Sequence, residues 1–203
     1  MRLHKRLSTH VSAFLLVSSL AVPAGAADSG SASAVVRSAI RIQNFGQVNN
    51  TYYRGGQPKD HDYADLAALG VKTVINLTSS DADANERALV EKAGMKYVQI
   101  PMTTHEQPTS AELTRFLDIV NAPANQPVYV HCVGGRHRTG IMTAIYRMTH
   151  DGWSAKQAFA EMKQYKFGAD FLHPEFKNFV FAYQASPVHA AAAVASTEAA
   201  SRK

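Results

Sequence analysis

The sequence predicts a single α/β domain in which helices flank a central, mainly parallel sheet. Two observations favour this class. Apolar, often β-branched runs alternate along the chain with helical patterns, which is the order typical of strands joined by helical crossovers. The 203 residues, 46% of them hydrophobic and 18% charged, also have the length and composition of one well-buried globular unit.

Composition divides the chain into four segments. Residues 1–26 have the form of a secretory signal peptide, because basic residues precede an apolar run that ends in small residues. This run is shorter than the roughly 20 residues that span a bilayer, which favours a cleaved signal over an uncleaved anchor. A Ser-, Ala- and Gly-rich linker over 27–39, a folded domain over 40–186 and an Ala-rich, low-complexity tail over 187–203 follow. We therefore expect export, to the periplasm or the medium, without stable membrane insertion after removal of the signal.

The first half of the folded domain contains patterns for two helices and two strands. A short helix is predicted around residues 63–69, and the β-branched run 71–77 that follows it indicates a strand. A polar loop then leads to a helix over about 85–93, which ends at a glycine. Residues 96–100 alternate between apolar and polar, as expected for a half-buried strand.

The second half continues the alternation. Its predicted elements are a helix that begins with a Thr109–Glu112 capping box and runs to about 120, a strand over 128–131, and helices over 139–149, after Ser154 and from Pro174. In parallel sheets, ligands bind where the strands end at their carboxyl side. The glycine-containing loop that follows strand 128–131 emerges there and is the candidate site.

This loop combines a thiol with several groups that stabilise negative charge. Cys132 precedes a predicted helix whose first amides attract anions, Arg138 adds a permanent positive charge, and Thr139 can donate a hydrogen bond. Gly134 and Gly135 allow successive amides to point inward as an anion-binding nest. The five residues between Cys132 and Arg138 let the loop curl around a tetrahedral anion, with the sulfur beneath it.

The pattern predicts phosphate as this anion. The expected phosphate-binding residues are Val133, Gly134, Gly135, Arg136, His137 and Arg138. Attack by the sulfur on phosphorus forms a cysteinyl-phosphate that water then hydrolyses, so we expect neither a metal nor a cofactor. His131 is expected to hydrogen-bond the loop backbone and to help fix the thiolate from behind. Arg136 and His137 either line the pocket or point to solvent.

The chain holds one cysteine, so it can form no internal disulfide even in an oxidising compartment. A lone cysteine is often a small buried hydrophobe, but the neighbours of Cys132 favour a reactive thiol.

The net charge of +5 suits an anionic substrate, although the positive charge is scattered as on an ordinary solvated surface. We therefore expect a phosphorylated protein or a small phosphomonoester as partner, and no nucleic acid.

The segment from His131 to Thr139, which reads His-Cys, two residues, Gly, two residues, Arg-Thr, resembles the signature loop of the cysteine-dependent protein tyrosine phosphatase superfamily. The order of elements and the stretch 53–58 are similar to its compact, dual-specificity-like branch. The resemblance implies a protein tyrosine phosphatase-like fold. It also implies that Cys132 is the phosphocysteine nucleophile, that Arg138 binds phosphate and that Thr139 assists the departure of sulfur.

The family also uses an aspartate as general acid for the leaving oxygen, and here the sequence departs from the pattern. The corresponding stretch, 101–108, carries Thr104 where related enzymes often have Asp. Glu106 is the predicted acid, and an ordinary surface position is the competing interpretation. The other candidates are His105, Asp81 and Asp83.

The predicted function is hydrolysis of phosphotyrosine, and by extension of phosphoserine, phosphothreonine or a non-protein phosphomonoester. A phosphate-binding module without turnover and a phosphoinositide phosphatase remain alternatives, the latter because Arg136 and His137 can meet additional phosphates. An arsenate reductase has a similar loop but needs further thiols, which this chain lacks. A rhodanese-like sulfur transferase fits the Arg-Thr ending less well.

Overall fold

A five-stranded sheet organises residues 40–185, the part of the chain that this computed structural model describes. The strands are β1 (Gly46–Asn49), β2 (Tyr52–Gly55), β3 (Thr73–Asn76), β4 (Lys96–Gln99) and β5 (Val128–His131). Their spatial order is β1-β2-β5-β3-β4, and the β1–β2 pair alone is antiparallel. The predicted α/β class with a mainly parallel sheet is therefore confirmed. The predicted signal peptide (1–26), linker (27–39) and tail (187–203) lie outside the described residues.

Six α-helices occur within residues 40–185. They are α1 (Asp62–Ala68), α2 (Glu86–Lys92), α3 (Ser110–Asn121), α4 (Arg138–His150), α5 (Ala155–Gln164) and α6 (Pro174–Ala182). Local signals in the sequence mark three of their starts: α3 begins with the capping box of Thr109 and Glu112, Ser154 caps α5, and Pro174 occupies the first turn of α6. Within the same range, none of the helices has the length and apolar character needed to cross a membrane.

The hairpin of β1 and β2 has no counterpart in the sequence-based prediction. Each strand has only four residues, and all four residues of β2 are buried, including Arg54. Neither strand therefore shows the alternation of apolar and polar residues that identifies a half-buried strand. The hairpin matters because β2 pairs in parallel with β5, which sets Gly55 opposite His131 at the edge where the candidate loop begins.

Helices cover both faces of the sheet, and the alternating side chains of β5 show how the two cores form. Val128 and Val130 join the cluster that contains residues of α3, α4, α5 and α6, whereas Tyr129 joins the cluster that contains residues of α1 and α2. Strand β5 is therefore buried on both faces and paired along both edges. The loop that leaves it starts from the most restrained strand of the sheet.

Candidate active site

The Cys132 loop, residues 132–137, joins the end of β5 to the start of α4 and borders a pocket of about 520 Å³. The pocket is lined by Gln43, Asp81, Thr104, Cys132, Val133, Gly134, Arg136, His137 and Arg138. Cys132 is only 4% exposed. The structure thus brings the thiol together with Arg138 and with side chains from three other segments.

The backbone at Gly135 requires a glycine. Its φ is +63°, and a Cβ atom there would lie 2.4 Å from the backbone carbon of Gly55. The Cys132 loop therefore packs directly against the backbone at the end of β2. Arg54 completes this contact from within the core, because its guanidinium donates to the carbonyl of Gly135 at 2.9 Å and stacks on the ring of Tyr165.

Three consecutive carbonyl groups of the loop, those of 133–135, face away from the pocket. They accept hydrogen bonds from the Gln57 amide, the Asn44 side chain and the Arg54 side chain, at 3.0, 2.9 and 2.9 Å respectively. In a trans peptide the N–H of the next residue points opposite to the carbonyl. The amides that follow these carbonyls are therefore turned toward the pocket, which is the arrangement of an anion-binding nest.

Arg138 is the first residue of α4 and is almost completely buried. Its two terminal nitrogens donate to the two carboxylate oxygens of Asp81 at 2.9 and 2.6 Å, and one of them also donates to the carbonyl of Met102 at 3.2 Å. Burial lowers the pKa of Arg138, but the hydrogen bonds with Asp81 and the negative charge of Cys132 outweigh burial and raise the pKa above its usual value. The guanidinium is a permanent cation with a fixed orientation.

Asp81 enters the pocket from the loop after β3. The hydrogen bonds from Arg138 are the main reason that the pKa of Asp81 falls to about 2, so the carboxylate is ionised at neutral pH. Its side chain is 36% exposed. Asp83 has a different role, because its carboxylate accepts from the amide of Asn85 just before α2.

His131 lies behind the loop, fully buried, and its ring faces Glu86 rather than the loop backbone. Its Nε2 is 2.8 Å from Oε1 of Glu86, the distance of an ion pair, although the two groups are not aligned as in a hydrogen bond; Nδ1 has no partner among residues 40–185. Glu86 also accepts from Gln57 at 2.8 Å, from Tyr63 at 3.2 Å and from Asn76. Burial raises the pKa of Glu86, but His131 and these donors outweigh it and hold the pKa below its usual range.

The remaining predicted site residues, in the Cys132 loop and at the start of α4, differ in exposure. Thr139 is fully buried, and its hydroxyl has no partner among the described residues, so the hydroxyl is free to donate. The side chains of Val133 and Arg136 are exposed at the pocket. His137 is half-buried and contacts the carbonyl of Phe167 at 2.9 Å. Burial lowers the pKa of His137; the contact with Phe167 opposes this, and nearby positive charges add to the lowering.

The 101–108 loop reaches the pocket through Thr104, which lines it. Glu106, the predicted general acid, is exposed and accepts a hydrogen bond from the hydroxyl of Thr103 at 3.0 Å. It is not among the residues that line the pocket, whereas Asp81 is. His105 is exposed and stacks on His173.

Sequence reasoning missed the support that other segments give to the site. The sequence around Arg54 contained one indication, because this charged residue lies between two tyrosines and two glycines. Glycines at such a position indicate close contact between backbone segments rather than a surface strand. Glu86 carried no such indication, because a glutamate at a helix start is ordinary. Gln43, Asn44 and Gln57 lie in polar stretches that do not differ from surface loops.

Comparison with known proteins gives consistent matches. Residues 33–178 match the family model described as "DSP-PTPase phosphatase fused to NAD+ Kinase". The inositol diphosphatase SIW14 of Saccharomyces cerevisiae is 30% identical over 133 residues, which are 63% of this chain and 47% of the yeast protein. The dual specificity protein phosphatase TpbA of Pseudomonas aeruginosa is 32% identical over 126 residues, 62% of this chain and 56% of TpbA. The chain thus spans about half the length of these relatives.

Solved structures of phosphatases are similar to this chain over about three quarters of its length. The core catalytic domain of the PP-IP phosphatase SIW14 from S. cerevisiae, in complex with citrate, has a TM-score of 0.66 and 27% identity, covering 77% of this chain and 94% of that one. A cysteine-to-serine variant of P. aeruginosa TpbA in complex with pTyr has a TM-score of 0.61 and 26% identity, covering 76% and 90%. The fold of this chain is therefore similar to those of two solved phosphatase structures.

Proposed function

The chain belongs to the DSP-PTPase phosphatase family described as fused to NAD+ kinase, and we propose on this premise that it hydrolyses phosphomonoesters through a phosphocysteine intermediate. The branch is the dual-specificity-like one that the Cys132 loop resembles in sequence, and the predicted family is confirmed. One observation carries the proposal: the thiol of Cys132, the fork of Arg138 and the inward amides of the loop border one pocket.

The proposed reaction has two steps. The loop amides and Arg138 hold the non-bridging phosphate oxygens while the Cys132 thiolate attacks phosphorus in line. The S–P bond forms as the bond from phosphorus to the leaving oxygen breaks, and that oxygen takes a proton from a general acid. Water then attacks phosphorus and gives a proton to the general acid, which the first step left deprotonated. The S–P bond breaks, and the buried hydroxyl of Thr139 donates to the departing thiolate. His131, held by Glu86, supports the loop from behind.

Two carboxyl groups are proposed as sources of the proton. Glu106 lies on the 101–108 loop that reaches the pocket through Thr104, and a turn of this loop would bring it to the leaving oxygen. Asp81 already lies in the pocket, but its pKa of about 2 keeps it ionised while it binds Arg138. It becomes a donor only if substrate phosphate displaces it from Arg138 and its pKa rises toward the usual value.

Phosphotyrosine on a protein is the proposed main substrate. The support is the related TpbA variant, whose structure holds pTyr, together with a pocket of about 520 Å³ that is large enough for an aryl phosphate. An inositol phosphate is the second candidate, because SIW14 is described as an inositol diphosphatase and because Arg136 and His137 add positive or hydrogen-bonding groups at the pocket.

Hydrolysis of para-nitrophenyl phosphate and of a phosphotyrosine peptide tests the mechanism. Cys132→Ser is expected to abolish turnover and to retain binding of tungstate, and Arg138→Lys is expected to weaken both, since lysine lacks the planar fork. Acid quenching of the unaltered enzyme should trap one phosphate on Cys132, detectable by mass spectrometry. Turnover that survives loss of the thiol would exclude the mechanism. Binding of the peptide without any turnover by the unaltered protein would favour the binding module.

We also propose export, supported by the signal-like composition of residues 1–26. Expression in a bacterium with fractionation should place the mature chain outside the cytoplasm, with an N-terminus near residue 27. Recovery of the intact N-terminus in the cytoplasmic fraction contradicts it.

A further inference from the structure

A cluster of two histidines and one glutamate lies near the pocket on segments that are far apart in sequence. His105 belongs to the 101–108 loop, His173 directly precedes α6, and Glu175 is in the first turn of α6. One nitrogen or oxygen atom from each of them lies within 4.8 Å of the others. Within residues 40–185, no other three histidine, cysteine or acidic side chains converge in this way.

The separations are close to those of a metal site. Zinc bonds of 2.0–2.2 Å in a tetrahedral arrangement place the ligand atoms roughly 3.3 Å apart. Nδ1 of His173 and Oε1 of Glu175 are already 3.1 Å apart. His105 is exposed, and its ring lies nearly parallel to that of His173. Since the three ligand atoms lie within 4.8 Å of one another, His105 needs to approach the other two ligands by at most about 1.5 Å to reach the zinc-binding distance.

Two of the ligands are held in place before any ion binds. The side chains of His173 and Glu175 are only 13% and 24% exposed. The His173 ring stacks on Phe176 and lies 3.9 Å from the His137 ring, which restricts its rotation. A site with two fixed ligands loses little side-chain entropy when it binds an ion.

The 101–108 loop is also kept near α6 without a metal. The side chain of Gln107 donates to the backbone carbonyl of Glu175 at 3.3 Å. This hydrogen bond keeps the segment that carries His105 beside the other two ligands. A metal would therefore add to an existing contact and would not have to bring the two segments together.

We propose that His105, His173 and Glu175 bind a late first-row divalent cation, with Zn²⁺ as the best-fitting member, and that the bound ion fastens the 101–108 loop to α6. Two imidazoles and one carboxylate are a ligand set that such cations prefer over Mg²⁺ or Ca²⁺. With three protein ligands, a tetrahedral ion would take its fourth ligand from solvent. The site contains neither Cys132 nor Glu106, and the proposal does not depend on the proposed function.

Calorimetric titration of the full chain with Zn²⁺ tests the proposal in a Cys132→Ser background, which removes the thiolate as a competing ligand. One saturable site is expected, and Co²⁺ should give there the visible absorption of a four- or five-coordinate ion. His105→Ala and Glu175→Gln are each expected to weaken binding by at least about tenfold. The matched control is His61→Ala, which removes an exposed histidine outside the cluster and should leave the affinity unchanged.

Hydrogen exchange provides a second readout. Zn²⁺ is expected to slow exchange of the amides in residues 103–107 of the unaltered chain, but not in Glu175→Gln. In metal-free buffer, Glu175→Gln should keep the melting temperature and the turnover of the unaltered chain. Equal Zn²⁺ affinity in the unaltered, His105→Ala and Glu175→Gln chains would overturn the proposal. So would loss of the site in Cys132→Ser, since the thiol would then be the ligand.

Discussion

At the scale of single residues, the proposed mechanism requires the carboxylate of Asp81 and a substrate phosphate to compete for the same cation, Arg138. Asp81 binds both terminal nitrogens of Arg138, and its pKa of about 2 keeps it negatively charged. A phosphate that takes these nitrogens must displace the carboxylate or share Arg138 with it. Since Asp81 is partly exposed, solvent screens the ion pair and limits its strength.

Asp81→Asn is therefore expected to tighten binding of inorganic phosphate and tungstate. An ion pair of this exposure is worth up to about 1 kcal/mol, so the inhibition constants should fall about two- to fivefold. Because the pKa of Asp81 is about 2, the effect of its own charge should be constant from about pH 5 to about pH 8. Competitive inhibition measured across this range checks the expectation. Asp83→Asn is the matched control and should leave the constants unchanged, whereas weaker anion binding by Asp81→Asn would contradict the competition.

Substrates whose leaving groups differ in basicity test which carboxyl group is the general acid. Glu106→Gln is expected to lower kcat for a phosphoserine peptide by about 10²-fold or more and to change kcat for para-nitrophenyl phosphate little, because nitrophenolate leaves without a proton. The same pair of substrates measured with Asp81→Asn provides the comparison. If the leaving-group dependence appears in Asp81→Asn and is absent in Glu106→Gln, the acid is Asp81.

The sequence predicted those site residues whose geometry is set locally. Cys132, Arg138 and the glycines between them lie in one short loop, so their spacing alone suggests a curled anion site. The pairing of Arg138 with Asp81 joins residues 57 positions apart. Nothing in the local pattern distinguishes Asp81 from Asp83, and only the fold shows which of the two carboxylates reaches the pocket.

At the scale of secondary-structure elements, Glu86 connects α2 to the rest of the fold. Its buried carboxylate contacts His131 at the end of β5, Asn76 at the end of β3, and Tyr63 in α1. A buried charge is tolerated only when it is paired with an opposite charge and hydrogen-bonded, and these contacts satisfy both requirements. The same contacts hold the strand that leads into Cys132.

Glu86→Ala is expected to destabilise the domain by about 3–5 kcal/mol, because it removes the buried partner of His131 and of three hydrogen-bond donors. Glu86→Gln should cost less. The matched control is Glu91→Gln on the same helix, whose ion pair with Arg87 is exposed and worth less than about 1 kcal/mol. Urea unfolding measures all three.

The pH dependence of these variants has a defined sign. The folded pKa of Glu86 lies below the ordinary value of 4.5, so its contribution is fully present above that value and is lost as the pH falls through the folded pKa. The stability difference between the unaltered chain and Glu86→Gln should therefore shrink in acid. A difference that grows as the pH falls below the ordinary value would contradict this assignment.

Element prediction succeeded where start signals are local and failed where packing decides. The capping box of α3 and the proline of α6 identify these helices without tertiary information. Strands β1 and β2 carry no such signal. β2 is buried on both faces, and its Arg54 is placed inward by contacts with Tyr165 and the carbonyl of Gly135 that only the folded chain provides.

At the scale of the whole molecule, the pocket beside the Cys132 loop is lined by segments from most of the domain. Its lining comes from the stretch before β1, the loop after β3, the loop after β4 and the Cys132 loop. An anion held there contacts segments that separate on unfolding. Anion binding should therefore be linked to global stability rather than to the order of one loop.

Tungstate is accordingly expected to raise the melting temperature of the unaltered chain and of Cys132→Ser. At about 100 times the dissociation constant, the gain is about 2.7 kcal/mol, or roughly 5–10 °C for a domain of this size. Arg138→Lys should show a much smaller shift at the same concentration, since it keeps the charge but loses the bidentate fork.

Scanning fluorimetry measures the shifts, with sodium chloride at equal ionic strength as the control. Because the chain carries a net charge of +5, salt alone screens repulsion. An equal rise with chloride, or in Arg138→Lys, would assign the stabilisation to this general screening and not to the pocket.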